Sequence, residues 1–175
     1  MTTWDTVRTK RAVREFADRP IPPELLDRIL RAGTRAHSSK NQQRWAFVVV
    51  QDRERLRALS KVGPYAGHLA GAATAVALVT PDPRGSDEPL SVTWDLGGAA
   101  AQMMLVAWEE GIGSCPATVY EQDLARELLG YPADRWCEYL LSFGYPADPA
   151  KLTAPLKAGG RRPIDDVVHR ERWGG

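Results

Sequence analysis

Two groups of basic side chains stand near opposite ends of the sequence and are of a type that binds phosphate. The first group is Lys10, Arg11 and Arg14, and the second is Arg161 and Arg162. Guanidinium groups form forked, charge-assisted hydrogen bonds with phosphate oxygens. A solvated surface patch would also account for such groups, so their positions alone leave both interpretations open.

A polar run between the two basic groups offers neutral hydrogen-bonding partners. Residues 38–45 read Ser-Ser-Lys-Asn-Gln-Gln-Arg-Trp. Their hydroxyl and carboxamide groups can pair with a polyhydroxyl chain or with the edge of a heterocycle. Polar loops are common, however, and this run by itself is only a weak indication of a ligand site.

The sequence lacks the familiar signatures of hydrolases, dinucleotide-binding turns and zinc enzymes. Residues 111–116 read Gly-Ile-Gly-Ser-Cys-Pro, with proline where a dinucleotide-binding turn needs its third glycine. The histidines at positions 37, 68 and 169 are widely spaced, and no Walker A lysine or nucleophile elbow occurs. Cys115 and Cys137 lie apart from any zinc spacing, which favours core thiols over nucleophiles.

Hydrophobic periodicity predicts the elements that must position these residues. Helices are predicted after an N-cap at Thr3 and over 22–36, 53–61, 90–110 and 121–129; strands are predicted over 45–50, 72–80 and 136–143, the first two buried. Residues 36–44 and 111–120 are expected to be loops. Gly97 and Gly98 weaken the long helix by about 1 kcal/mol each relative to alanine, so we expect another helix to pack closely there.

Length, composition and charge exclude several classes of protein. The chain has 175 residues, of which 43% are hydrophobic and 26% charged, as in a single globular domain. Its net charge of +1 argues against a nucleic-acid partner. The longest nearly apolar run, 96–108, is too short to cross a membrane, and the N-terminal residues show no secretory pattern. We therefore expect a cytoplasmic protein with no membrane partner.

Four segments taken together resemble the FMN-dependent nitroreductase family. They are the basic segment 10–16, the polar run 38–45 with the strand that follows it, the small-residue helix segment 95–102 leading to 111–115, and the closing segment 161–173. Each match is loose by itself. Their joint occurrence in this order, over nearly the whole chain, makes the resemblance strong.

The resemblance implies both a fold and a reaction. The fold is α+β, with a central, mainly antiparallel sheet flanked by helices on both faces, in an intertwined homodimer. Residues 1–175 form one domain, and 147–175 form an extended C-terminal arm that lies against another surface. The implied cofactor is FMN, which takes electrons from NADH or NADPH and passes them to nitroaromatic, quinone or similar small acceptors. The flavin carries the redox chemistry, so neither a catalytic side chain nor a metal is expected.

The resemblance also assigns residues to the flavin. Lys10, Arg11 and Arg161 are expected at the phosphate, and Arg14 at the ribityl or pyrimidine portion. The other expected flavin-binding residues are Arg162, the polar-loop residues Ser38, Ser39, Asn41 and Gln43, and the backbone of Pro116, Ala117, Thr118 and Val119. One backbone N–H of this last group is implied to donate to the flavin N5 atom. Arg44 and His68 are candidates on the substrate side. His68 either lies beside the pyrimidine edge or faces solvent from a helix.

The chain departs from the family pattern at three places. Ala12 replaces a hydroxyl residue that would bond the phosphate, and Arg44 replaces a proline. The connection Pro81–Pro89 is short, whereas larger members insert helical structure that covers the flavin face, so we expect an open substrate pocket. A flavin storage or sensing protein, a deazaflavin-dependent enzyme, a flavin-fragmenting synthase and a reductive dehalogenase remain as alternatives.

Overall fold

The computed structural model describes residues 1–85, 90–153 and 160–174. Its helices and strands, in chain order, are α1 (Thr3–Thr9), α2 (Pro23–Thr34), β1 (Ala46–Val50), α3 (Arg53–Leu59), β2 (Thr74–Pro81), α4 (Ser91–Glu109), β3 (Gly113–Thr118), α5 (Gln122–Leu129) and β4 (Arg135–Gly144). Short 3-10 helices cover Ser39–Asn41, Gly67–Gly71, Pro149–Leu152 and Ile164–Asp166.

The four strands form one antiparallel sheet in the order β1-β2-β4-β3. Helices α2 and α4 cover one face, where Ile29 and Met103 pack among the buried residues Val76 and Leu141. Helices α3 and α5 and the segment Gly67–Gly71 cover the other face. The predicted α+β architecture, with an antiparallel sheet between two helical layers, is confirmed.

The N-cap of helix α1 lies one residue earlier than the sequence predicted. Thr2, not Thr3, is the N-cap: its hydroxyl accepts from the backbone N–H of Asp5, and the Asp5 carboxylate accepts from the backbone N–H of Thr2. This reciprocal capping box requires an acidic or amide side chain three residues after the cap. Counting back from Asp5 identifies Thr2, so the prediction of Thr3 was wrong.

Residues 111–120, predicted as a loop, contain the edge strand β3. The prediction was wrong because small residues and Pro116 give no alternating pattern. Two backbone bonds fix the orientation of the strand. The Ser114 carbonyl faces outward and accepts from the N–H of Val13, whereas the N–H of Val119 faces inward and donates to the Glu138 carbonyl. Successive residues of an antiparallel strand direct their backbone N–H and C=O groups to alternate sides. Pro116 lies at a position whose backbone groups face outward, so its missing N–H removes no hydrogen bond to β4.

Strand β1 is an edge strand and is not buried as predicted. Its apolar run pairs with β2 alone among the described strands, and only Val50 of its five residues is fully buried. A continuous apolar run is typical of strands covered on both faces. Here it lies at the margin of the helical layers, which leaves Val49 38% exposed.

Helix α4 presents an uncovered face of small residues within the chain. Apart from the helix's own backbone, no atom of the described residues lies within 4 Å of a Cβ placed on Gly97, and the nearest to one on Gly98 is the His37 ring, at 3.5 Å. Trp94 on this side is 72% exposed. The helix expected to pack against the two glycines is therefore not supplied by the described part of this chain.

The described part of the C-terminal segment also carries exposed apolar side chains. Val167, Val168 and Trp173 are 47%, 44% and 89% exposed. Residues 154–159 and 175 of the predicted arm, and residues 86–89 of the Pro81–Pro89 connection, lie outside the described ranges. Within those ranges, no helix has the length and apolarity needed to cross a bilayer.

Candidate flavin site

One cavity of about 540 Å³ is lined by Lys10 and Arg11 together with Arg161, which lies about 150 residues further along the sequence. Trp4 and Val7 of α1 supply its apolar wall. Partial burial lowers the pKa of Lys10, and the charge of Arg161 lowers it further. Cations held this close are stabilised by an anion, so the cavity suits a phosphate group. Arg162 is exposed and is not among the lining residues.

Helix α1 holds the basic segment in place through its two ends. At its start, hydrogen bonds from Thr2 and Arg8 lower the pKa of Asp5 to about 2. At its end, the indole N–H of Trp108 on α4 donates to the Thr9 hydroxyl over 3.0 Å. Lys10 therefore follows a residue that is tied to the core of the molecule.

Residues 12–16 lie against the sheet and are held there by two isolated bridges, the first to β3 and the second to the residues that follow β4. Ala12 forms a parallel bridge with Ser114, and Phe16 forms an antiparallel bridge with Pro146. Gly113 makes this approach possible, because a Cβ there would lie 2.5 Å from Cβ of Val13. The arrangement fixes Arg14, which follows Val13, beside the outer strand of the sheet.

Arg14 lies close to both His68 and the buried Cys115 of β3. Burial raises the pKa of the Cys115 thiol, and the charges of Arg14 and Lys10 oppose that shift. Burial and Arg14 both lower the pKa of His68, while the backbone of Pro116 opposes the change. His68 is half-buried in the segment Gly67–Gly71, so it does not face solvent from a helix.

Of the four residues predicted to offer a backbone donor, only Thr118 directs its N–H away from the sheet. Pro116 has no N–H. Ala117 and Val119 lie in the inward phase of β3, where their N–H groups face β4. The Thr118 N–H lies in the outward phase, on the same edge as the basic segment.

The polar loop is held on α4 by a carboxylate that the sequence analysis missed. The backbone N–H of Ser39 donates to Oδ2 of Asp95 over 2.9 Å, and Asp95 is only 8% exposed. Asp95 is the one charged residue between positions 91 and 108 of the helix, and that isolation was the available signal. A buried carboxylate needs hydrogen bonds, which the loop backbone supplies.

The backbone of the polar loop adopts strained φ angles, and hydrogen bonds from its own side chains stabilise this conformation. Lys40, Asn41 and Gln43 have positive φ angles of 51°, 55° and 49°. The N–H of Gln43 donates to the Ser38 hydroxyl over 3.0 Å, and the Gln43 amide donates to the Asn41 side chain over 3.0 Å. Non-glycine residues held at positive φ are concentrated at ligand sites.

The loop and the basic segment lie at opposite edges of the sheet. The loop leads into β1, the basic segment runs along β3, and three strand spacings of about 4.8 Å separate these edges by roughly 14 Å. Gln43 and Arg44 line a different cavity, of about 770 Å³, together with Tyr131 and Arg135. One chain therefore brings together Lys10, Arg11, Arg14, His68, Thr118 and Arg161, but not the residues of the polar loop.

In the described part of the chain, no cluster of His, Cys, Asp or Glu could hold a metal ion.

Comparison with known proteins gives concordant matches over most of the chain. The model of the nitroreductase family matches residues 7–70 and 63–145. A protein of Archaeoglobus fulgidus named as an NADH dehydrogenase/NAD(P)H nitroreductase is 34% identical over 173 residues, which cover 95% of this chain and 96% of that protein.

Two solved structures have the same fold. The FMN-dependent nitroreductase of Clostridium difficile superposes with a TM-score of 0.80 at 26% identity, covering 95% of this chain and 98% of that one. Nitroreductase A of Vibrio parahaemolyticus superposes with a TM-score of 0.85 at 26% identity, covering 98% of this chain and 76% of that one.

Proposed function

Because this chain belongs to the nitroreductase family, we propose that it is an FMN-dependent oxidoreductase that passes electrons from NADH or NADPH to small acceptors such as nitroaromatics and quinones. The observation that carries the proposal is the convergence of Lys10, Arg11 and Arg161 on one cavity. When bound, FMN supplies the chemistry that accepts a hydride and donates electrons. The protein supplies binding, orientation and charge.

The three cations would hold the phosphate of FMN. Their side chains can donate several charge-assisted hydrogen bonds to a dianion, and each is worth about 1.5–3 kcal/mol. Ala12 lies on the same cavity wall and adds no hydroxyl. The basic side chains must therefore supply most of the phosphate affinity, with Arg162 as a further charge nearby.

The edge of β3 would orient the flavin ring. The outward N–H of Thr118 suits a donor to the N5 atom, because the sheet holds it in place and no reorganisation is needed when it is used. Arg14 is fixed on the same edge by the bridge between Ala12 and Ser114. Its positive charge would favour the reduced flavin.

A complete site would need two copies of the chain. Ser38, Ser39, Asn41 and Gln43 lie roughly 14 Å or more from the basic segment of their own chain. A homodimer formed through the exposed face of α4 would bring the loop of one copy to the flavin of the other, since Asp95 fixes the loop to that helix. The exposed apolar residues of 160–174 would then lie on the partner, as the predicted intertwined arm.

We propose that the face of the flavin that meets the substrate is open to solvent, and that the enzyme accepts a broad range of electron acceptors. A flavin face without a long covering insertion buries little of a small ligand and leaves few groups to orient it. Arg44 lines a wide cavity at the other edge of the sheet and would reach the flavin only across a dimer.

The first test is the visible spectrum of the purified protein, followed by anaerobic addition of NADH and NADPH. We expect bound flavin that is bleached by at least one donor and reoxidised by quinones and nitroaromatics. Bound flavin without bleaching would favour a storage or sensing protein. Absence of flavin binding, even after incubation with excess FMN, would overturn the proposal.

The second test compares acceptors of matched redox potential but different bulk. Similar rates of flavin reoxidation are expected for small and bulky acceptors. Strong discrimination by shape would show that a further segment closes the site.

A further inference from the structure

The cavity beside the basic segment is larger than a phosphate group requires. At about 30 Å³ for each of its heavy atoms, the share of one water molecule in the liquid, a phosphate needs roughly 150 Å³. The cavity has a volume of about 540 Å³, which lies within the ~300–1,000 Å³ of sites that hold a whole small ligand. A phosphate bound by Lys10, Arg11 and Arg161 therefore leaves most of the space to a further group of the ligand.

One wall of this space is an exposed face of α1. Trp4, Val7 and Arg8 have the i, i+3 and i+4 spacing that places side chains on one face of a helix, and all three line the cavity. Trp4 is 69% exposed and Val7 is 50% exposed, and neither belongs to the buried clusters on the two faces of the sheet. An indole and an isopropyl group offer a phosphate little beyond one N–H, so this wall suits a flat ring with apolar faces.

The same wall carries a planar cation that is held in place. Nε and Nη2 of Arg8 donate to Oδ1 of Asp5 over 3.0 Å and 2.8 Å. Asp5 also closes the capping box with Thr2, and Trp108 holds the other end of the helix at Thr9. Because Asp5 offsets its charge, Arg8 offers the cavity mainly a guanidinium plane, and such planes stack on heterocyclic bases. The wall is therefore in position before a ligand binds.

We propose that the cavity holds the AMP half of FAD, with the second phosphate among the cations and the adenine ring against the Trp4 indole. A ligand that continues beyond the phosphate of FMN must do so through a bond to that phosphate. In FAD the continuation is a second phosphate that carries adenosine. The protein thus binds FAD as well as FMN. This inference rests on the proposed function, because it places a flavin phosphate in the cavity.

The first experiment measures the dissociation constants of FMN and FAD by fluorescence titration of the flavin-free protein. We expect the unmodified protein to bind the two flavins within about tenfold of each other. Stacking of a base on an aromatic side chain contributes roughly fivefold to a hundredfold in affinity, so Trp4→Ala should weaken FAD binding by that factor and FMN binding by less than about twofold. Trp4→Phe is the matched control, because it keeps an aromatic face, and it should retain most of the affinity for FAD.

Three outcomes of this experiment would overturn the inference and leave the proposed function intact. The first is binding of FMN without binding of FAD. The second is an unchanged affinity for FAD in Trp4→Ala. The third is an equal loss of affinity for both flavins in Trp4→Ala, which would show that Trp4 supports the site through another contact, such as one with a second copy of the chain. Failure to bind either flavin would overturn the proposed function instead.

The second experiment uses ADP, which has the two phosphates and the adenosine but no flavin. In calorimetry, ADP should bind to the flavin-free protein and be displaced by FMN, because the phosphates of both ligands take the same cations. Its affinity should fall by roughly fivefold to a hundredfold in Trp4→Ala. Binding that depends on Trp4 but persists with FMN bound would assign the adenine to a separate nucleotide, such as the NADH or NADPH donor, and would overturn the assignment to FAD. Absence of ADP binding, or binding that Trp4→Ala leaves unchanged, would overturn the adenine subsite itself.

Discussion

Oδ2 of Asp95 on α4 lies 2.9 Å from the backbone nitrogen of Ser39 and accepts its hydrogen bond. This contact attaches the polar loop to the helix whose small-residue face is exposed. The position of the loop and the surface proposed for dimer contact are therefore set by one element.

Asp95→Ala should loosen the polar loop. It removes a charge-assisted hydrogen bond and leaves the Ser39 N–H without its partner, at a cost of about 1.5–3 kcal/mol in the free energy of unfolding. We also expect faster loss of FMN on dialysis. Asp123→Ala is the control: its fully exposed carboxylate has only a surface ion pair with Arg126, so it should cost less than about 1 kcal/mol and leave FMN retention unchanged. Unfolding in urea and flavin fluorescence measure the two effects.

Arg161→Ala should weaken FMN binding by roughly tenfold to a hundredfold, the value of one charged hydrogen bond. Lys61→Ala is the matched control, because Lys61 is exposed just after α3 and does not line the basic cavity. Lys40 is unsuitable as a control, since it belongs to the strained polar loop. Equal FMN dissociation constants for the two variants, measured by fluorescence titration, would show that Arg161 is a surface charge that does not bind the phosphate.

Ala101→Arg should disrupt the proposed dimer. Ala101 is exposed on α4, so the folded monomer tolerates the change. Across a two-fold axis, the two arginines would repel each other and lose water, at a cost of about 3 kcal/mol, or roughly a hundredfold in the dimer dissociation constant. Light scattering at micromolar concentration checks this, with Glu127→Arg on α5 as the control. A tightly flavin-bound monomer of the unmodified protein would contradict the shared site.

Gly113→Ala should destabilise the fold and release flavin together. The added Cβ would lie 2.5 Å from Cβ of Val13, so the segment bearing Arg14 must move. Overpacking of this kind costs about 1–3 kcal/mol. Gly67→Ala meets no atom within 4 Å and should stay within about 0.5 kcal/mol of the unmodified protein. Urea unfolding and the flavin content of each purified variant distinguish these outcomes.

Neither cysteine should react with a thiol reagent in the native protein at pH 8. Burial raises the pKa of Cys137 to about 12. It also raises the pKa of Cys115, although Arg14 and Lys10 oppose the shift. The thiolate is the reactive form, so both groups should be labelled only after unfolding. Mass spectrometry of the labelled protein would reveal rapid modification of either residue, which would contradict the buried position of that thiol.

The sequence by itself determined the elements whose residues repeat with a clear period. Helices α2 and α4 and strands β2 and β4 agree with their predicted positions to within a few residues, because a buried face imposes its period on the local sequence. The local sequence also identified the two basic groups and the polar loop. It also predicted both cysteines as core residues, and they are 1% and 0% exposed.

Only the tertiary structure decided how these pieces meet. Strand β3 has no periodic signal and exists because β4 pairs with it, and β1 is exposed because the sheet order places it at an edge. The contact between Ser39 and Asp95 spans 56 residues, and the contact between His68 and Ser142 spans 74. A pattern within one segment carries no information about which distant side chain completes a buried hydrogen bond, since that depends on how the segments pack.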